Sequence, residues 1–204
     1  MDINILLQFA TASFLLALLP GPDNIFVLTE SLSKGWRNGI AITTGLISGV
    51  LVHITLAATG ISLVLYQSDT IFQLVKYAGA GYLSYLAYLA YNEKPIELEK
   101  DSSDKALSFL KLMKTGFFMN VLNPKVSLFF IAFLPQFITK NGLPVIFQMM
   151  ILGLVFMVIS FSTFSLIALM AGKLNNYMAS PSFWKITKGI KVVVMIALAV
   201  FLLI

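Results

Sequence analysis

The chain has no cysteine and one histidine, and only 11% of its 204 residues are Asp, Glu, Lys or Arg. Without cysteine there is no disulfide, thiolate nucleophile, iron–sulfur cluster or CxxC redox relay. A single histidine also leaves a histidine-based metal centre short of ligands, so no metal and no other cofactor is expected. Soluble domains carry about 25% charged and about 45 to 50% apolar residues. A chain that is 58% hydrophobic, with mean hydropathy +0.90, is therefore read as a membrane protein. Between Asn38 and Ser68 the only Asp, Glu, Lys, Arg or His is His53, and from Asn141 to Gly172 there is none. About 20 apolar residues cross the hydrocarbon core, so such stretches read as membrane helices. The net charge of +5 does not point to nucleic acid, because the lysine-rich connection from Glu93 to Lys114 holds five lysines and five acids.

Hydrophobic runs place six spans at about 4 to 33, 39 to 66, 70 to 91, 109 to 138, 144 to 172 and 184 to 204. The first run begins at Asp2 without a Lys/Arg cluster and lacks a small-x-small cleavage site before a polar chain, so it is expected to stay in the membrane. The last span is short beyond Lys191: thirteen residues make about 20 Å of helix, and Lys188 and Lys191 are expected to snorkel toward the interface. The first, third and fifth connections hold Lys34, Arg37, Lys94, Lys100, Lys105, Lys111, Lys114, Lys173, Lys185, Lys188 and Lys191, eleven of the fourteen positive residues. By the positive-inside rule both termini are expected outside the cytoplasm.

The whole chain, 1–204, reads as one all-α transmembrane domain. A polar connection at about 93–107 divides it into halves of about 1–92 and 108–204, each with three spans. Three spans per half give the halves opposite polarity, as in the 3+3 inverted repeats of many transporters. Pro22 and Pro124 stand 102 residues apart, half the chain, and each interrupts the first span of its half. The broken first and fourth spans read Leu19-Pro20-Gly21-Pro22-Asp23-Asn24 and Asn120-Val121-Leu122-Asn123-Pro124-Lys125.

Proline removes a backbone donor and either breaks a helix or starts one at its first position. Asn123-Pro124 reads as an N-cap with a first helical residue, and Gly21-Pro22 plays the same part. Each break then presents backbone N–H groups and a positive helix end inside the membrane, tolerated where they face protein or a water-filled cavity and attractive to carboxylates. Asp23 and Lys125 occupy matching places in the halves. A charge deep in the membrane costs about 2.5 to 3.5 kcal/mol even on lenient insertion scales, so it is normally paired or lines a pathway. Lys125 stands at the wrong end of a helix for the dipole, so an acidic partner is expected. Asp23 and Lys125 are expected to pair near the centre and exchange that pairing for a zwitterionic substrate, carboxylate to Lys125 and the helix ends, ammonium to Asp23. A permanent structural ion pair is the alternative.

His53 follows Gly45 and Gly49 at helical spacing and is a candidate proton site; a histidine hydrogen-bonded between helices competes with that reading. Gly35, Gly39, Gly45 and Gly49 form small-xxx-small patterns that permit close helix contact, and such faces also suit a homodimer. Tyr82, Tyr85, Tyr88 and Tyr91 either present hydroxyls to a cavity or form an interfacial belt. Asn24, Asn120 and Gln136 add polar groups to the broken spans. No phosphate loop, serine triad or metalloprotease helix is present.

Several of these segments together carry a resemblance. Leu19-Pro20-Gly21-Pro22-Asp23-Asn24, Gly35-x-Arg37-x-Gly39, Gly45-x3-Gly49-x3-His53, Lys76-x2-Gly79-Ala80-x-Tyr82-Leu83-x-Tyr85-Leu86, and Gly116-Phe117 through Asn120-x2-Asn123-Pro124-Lys125 to Phe133-Leu134-Pro135-Gln136-Phe137 are similar to the LysE-type amino acid exporters, especially the homoserine/threonine exporter (RhtB-like) branch. The similarity covers about residues 10 to 140, with Ala87 where the pattern has glycine. It implies a multi-pass secondary transporter of the bacterial inner membrane, not an enzyme, exporting a small amino acid with coupling to protons. Within the motifs it points to Asp23, Asn24, Asn123 and Lys125. An exporter of another solute or a cation, and a non-transporting scaffold, are the competing readings; the scarcity of intramembrane carboxylates, with Asp23 alone at a break, disfavours the cation.

Overall fold

A computed structural model describes residues 2–61, 69–93, 108–139, 142–178 and 181–204. The described residues form helices joined by short breaks, without strands. The first expected span is two helices, α1 (Ile3–Leu18) and α2 (Pro22–Lys34), bent by 57°. Helix α3 (Trp36–Leu56) runs into a π-helical turn, Ala57–Ile61, and α4 follows at Asp69–Asn92. The fourth expected span is again broken: α5 (Phe109–Val121) and α6 (Pro124–Leu128) are joined at Leu122 and Asn123. Helix α6 continues as a π turn, Phe129–Phe133, and a 3-10 turn, Leu134–Phe137, giving a bend of 49° against α5. Helices α7 (Val145–Met178) and α8 (Pro181–Leu203) complete the chain.

Both breaks lie where the sequence places them and for the expected reason. Gly21 and Asn123 are extended, with Pro22 and Pro124 each beginning a helix, where the missing N–H costs nothing. Trp36–Gly60, Val145–Lys173 and Trp184–Leu203 are each long and apolar enough to cross a bilayer, and each bent pair passes the same test as a unit, for up to five spans. Helix α4 occupies the place of the third expected span. Its 24 residues reach about 36 Å, but Gln73, Lys76, Ser84 and the tyrosines make it less apolar than the others. The lysines at 94, 100, 105 and 140, and the centre of the polar connection, lie outside the described residues.

Lipid is as apolar as leucine, so close packing and polar contacts hold such a bundle together more than exclusion from water does. Glycine supplies the close approach between α3 and α5. A Cβ at Gly45 would overlap the Met113 carbonyl, one at Gly116 the Ile42 carbonyl, and one at Gly49 would stand 2.9 Å from Asn120 Cβ. Gly39 approaches Ser31 and Ala168 in the same way. These glycine faces are used inside the chain. Gly35 differs: it has open space around it and φ of 92°, a left-handed turn between α2 and α3 that glycine adopts without strain. Gly45 beside Met113 and Gly49 beside Phe117 show that α3 and α5 run parallel. Contacts of Gly39 with Ala168 and of Gly153 with Ile54 show α3 and α7 antiparallel.

Aromatic rings fix the irregular segment after Pro124. Phe129 lies 5.6 Å from Phe9, 5.0 Å from Phe133 and 5.2 Å from Phe156, and Phe130 meets Phe156 edge-on at 5.2 Å. At its far end, buried Gln148 of α7 accepts from the Thr139 backbone N–H at 3.0 Å and donates to the Thr139 and Leu143 carbonyls. Midway along α8, Lys191 does not reach for the interface unaided. It forms an ion pair with Glu93 at the end of α4, while Lys188 donates to the Glu93 carbonyl at 3.4 Å and lies over the Tyr91 ring. Tyr85, Tyr88 and Tyr91 are exposed on the outside of α4, the arrangement of a belt and not of a cavity lining.

Candidate functional site

The two breaks face each other, and each half satisfies groups that the other leaves free. Asn123 Nδ2 donates to Asp23 Oδ2 at 2.6 Å across 100 residues of sequence, while Asn123 Oδ1 accepts from the Lys125 backbone N–H at 3.0 Å. One amide therefore caps α6 and holds the acid of α2. In the opposite direction the Lys125 ammonium donates to the Leu16 carbonyl at 3.5 Å, in the last turn of α1. Lys125 also approaches Gly21, whose Cβ position lies 3.3 Å from Nζ.

The direct Asp23–Lys125 ion pair expected from sequence is not formed; the ion pairs among the described residues are Lys34–Glu30 and Lys191–Glu93. The physical reason is the first break, at the end of α1. Lys125 stands at the unfavourable end of its own helix, but its side chain crosses to the C-terminal end of α1, where orphan carbonyls and the dipole favour a cation. Asp23, in the first turn of α2, sits at a positive helix end and takes its hydrogen bond from a neutral amide. Acid and base thus remain side by side on one cavity with their charges supported separately.

Asn24 and His53 each meet a carbonyl at the end of a broken span's first helix, one at each break. Asn24 Nδ2 donates to the Ala17 carbonyl at 2.8 Å, closing the end of α1. His53 Nε2 lies 3.1 Å from the Asn120 carbonyl, at the end of α5, and its ring stacks on Phe130. Since a carbonyl only accepts, Nε2 carries the proton, and His53 acts here as a hydrogen-bonded bridge between α3 and α5. It is not among the residues lining the cavity. Gln136 bonds within its own turn, to the Ala132 carbonyl at 3.5 Å, and does not join the site.

Leu16, Ala17, Asp23, Asn120, Lys125 and Ser160 line a central cavity of about 10 Å³, closed on its other sides by Ile47, Val50, Val126, Phe156 and Phe164. That volume is about one water. Asp23 and Asn120 are each 2% exposed. Asp23 Oδ1, Asn120 Oδ1 and Ser160 Oγ have no hydrogen-bond partner in the protein. Buried polar groups are nearly always paired, so three unpaired oxygens on residues of one small cavity call for an explanation. No cluster of His, Asp and Glu among the described residues is fit to hold a metal.

The family model described as "LysE type translocator" matches residues 14–204. The chain belongs to the LysE-type translocator family. Members of this family are transporters, not enzymes. The chain is 30% identical over 178 residues to a "Homoserine/homoserine lactone efflux protein" of Salmonella typhimurium, covering 87% of this chain and 85% of that protein. It is 29% identical over 184 residues to an "Uncharacterized membrane protein" of Vibrio cholerae, covering 89% and 88%. With the "Uncharacterized membrane protein YrhP" of Bacillus subtilis it shares 26% over 203 residues, 96% of each chain. No solved structure matches.

In this translocator sequence reasoning finds Asp23, Asn24, Asn120, Asn123 and Lys125, and the structure brings all five to the meeting of the breaks, around Pro20, Gly21, Pro22 and Pro124. It misses Ser160. A serine in a long apolar helix ordinarily bonds back to its own turn, as Ser162 and Thr163 do, and nothing in the sequence distinguishes Ser160 from them.

Proposed function

We infer that the protein is a secondary transporter of the bacterial inner membrane that exports a small amino acid or derivative by alternating access about the two breaks. The observation that carries this reading is the facing pair of broken helices, with Asp23 and Lys125 on one small cavity between them. A zwitterion matches that pair: its carboxylate goes to the Lys125 ammonium and its ammonium to Asp23. Relatives described as homoserine/homoserine lactone efflux proteins support a small amino acid or derivative: homoserine is such a zwitterion, and its lactone keeps the ammonium alone.

In this account six spans form a 3+3 inverted repeat with both termini outside the cytoplasm, α4 being the third span. The parallel course of α3 and α5, the second and fourth spans, supports it. At about 10 Å³ the cavity holds no amino acid, so the arrangement is a contracted state that opens when the halves rock apart at the breaks. Coupling to protons is assigned to Asp23, which lines the cavity, in preference to His53, which is engaged with a backbone carbonyl. Protonation of Asp23 removes the charge that holds the ammonium and resets the carrier.

Inside-out membrane vesicles containing the protein, given a mixture of labelled amino acids, test this directly. Accumulation of one or a few small amino acids, lost when the pH gradient and membrane potential are collapsed, is the expected result. No uptake above vesicles lacking the protein overturns the carrier reading, and uptake indifferent to the collapsed gradients overturns proton coupling.

A further inference from the structure

Asp23, Asn120 and Ser160 come from α2, α5 and α7, and all three line the central cavity. Ser160 is 1% exposed, and its Oγ, like Asp23 Oδ1 and Asn120 Oδ1, has no partner in the protein. Beside them, Asp23 Oδ2 is engaged by Asn123, Asn24 Nδ2 by Ala17 and the Asn120 carbonyl by His53, while Asn24 Oδ1, also without a partner, belongs to a residue that does not line this cavity. What remains is a set of three acceptors with one negative charge among them. Unpaired acceptors away from water are costly, and the ligand that matches three of them is a primary ammonium, with three N–H donors and one positive charge. A hydroxyl or an amide brings fewer donors and leaves the Asp23 carboxylate uncompensated. Lys125, on the same cavity, is a donor without acceptor capacity and so is excluded from contact with the ammonium; it is left for the carboxylate.

We propose that Ser160 completes, with Asp23 and Asn120, the subsite that reads the primary ammonium group of the transported molecule. The proposal rests on the amino acid carrier reading and adds to it the recognised group and a specificity-determining residue. Substrates are then defined by a free ammonium beside the carboxylate. An α-hydroxy acid or an N-acetylated amino acid with the same side chain is rejected, because it leaves buried acceptors unpaired. The hydroxyl of Ser160 supplies one acceptor without adding charge, so the site pairs one carboxylate with one ammonium and remains neutral overall.

The test uses purified full-length protein in proteoliposomes, with the amino acid that the wild type moves as the probe. Ser160→Ala is expected to raise KM about tenfold or more, the loss of one hydrogen bond to a charged donor, with folded yield and melting temperature kept. Ser160→Thr, which retains the hydroxyl, is expected to recover most of that loss. On the wild type, the α-hydroxy acid and N-acetyl analogues are expected to compete at least about a hundredfold more weakly than the amino acid. An unchanged KM in Ser160→Ala, with or without a lowered melting temperature, overturns the proposal by leaving Ser160 a structural role only. Equal competition by the N-acetyl analogue overturns it independently, even if the Ser160 variants fail to fold. A wild type that moves no amino acid at all defeats the carrier reading, whereas a working wild type with an indifferent Ser160→Ala defeats this proposal alone.

Discussion

Replacing Asn123 by alanine removes two bonds with one side chain, and their sizes follow from the geometry. The Oδ1 contact to the Lys125 N–H, at 3.0 Å, is a helix cap worth about 1 kcal/mol. The Nδ2 contact to Asp23 Oδ2, at 2.6 Å and buried, is a hydrogen bond to a charged acceptor worth about 1.5 to 3 kcal/mol. Asn123→Ala is therefore expected to cost about 2.5 to 4 kcal/mol. Asn123→Ser keeps a capping oxygen but is too short to reach Asp23, so it loses only the second part. Asn123→Asp keeps the cap and sets a carboxylate against Asp23, and is the worst of the three. Unfolding by SDS in mixed detergent micelles reads these differences, and a double-mutant cycle with Asp23→Ala isolates the cross-half bond. A coupling of about 1.5 kcal/mol or more is expected, whereas additivity to within about 0.5 kcal/mol refutes the bond.

Three other outcomes are expected. Gly45→Ala, which drives a methyl into the Met113 carbonyl, should cost at least about 1 to 3 kcal/mol in the same unfolding assay, while Gly81→Ala, with open space around it, should cost nothing measurable. His53→Gln should lower stability by about 1 kcal/mol yet leave the pH profile of transport unmoved; a shifted profile would return the proton to His53. Glu93→Gln should destabilise the α4–α8 pair by about 1 to 3 kcal/mol, and adding Lys191→Gln should recover part of it, since the buried cation left without its partner is then also gone.

The breaks are legible in the sequence because proline after glycine or asparagine in an apolar run has few other uses. Asp23 and Lys125 are legible because charge is scarce and each stands beside a break. Which group bonds which is not legible: a helix-end argument made on one helix gives Lys125 an acidic partner, whereas the carbonyls that receive it belong to α1, 109 residues away in sequence. Glycine spacing points correctly to close packing at Gly39, Gly45 and Gly49, but it groups Gly35 with them, a residue whose role lies in backbone conformation. Helix α4 falls where the third span is expected, yet its tyrosines and Lys76 dilute the hydropathy on which span detection depends. Glu93 reads as part of a neutral polar connection until folding brings Lys188 and Lys191 to it.

On the proposed function, substrate binds where the two breaks meet, between Asp23 and Lys125. Transport by Asp23→Asn and Lys125→Met in proteoliposomes, beside the folded yield of each, tests it most directly. The account predicts that the wild type moves a small amino acid and that both variants, recovered folded, lose that transport. Normal transport in either folded variant would contradict it.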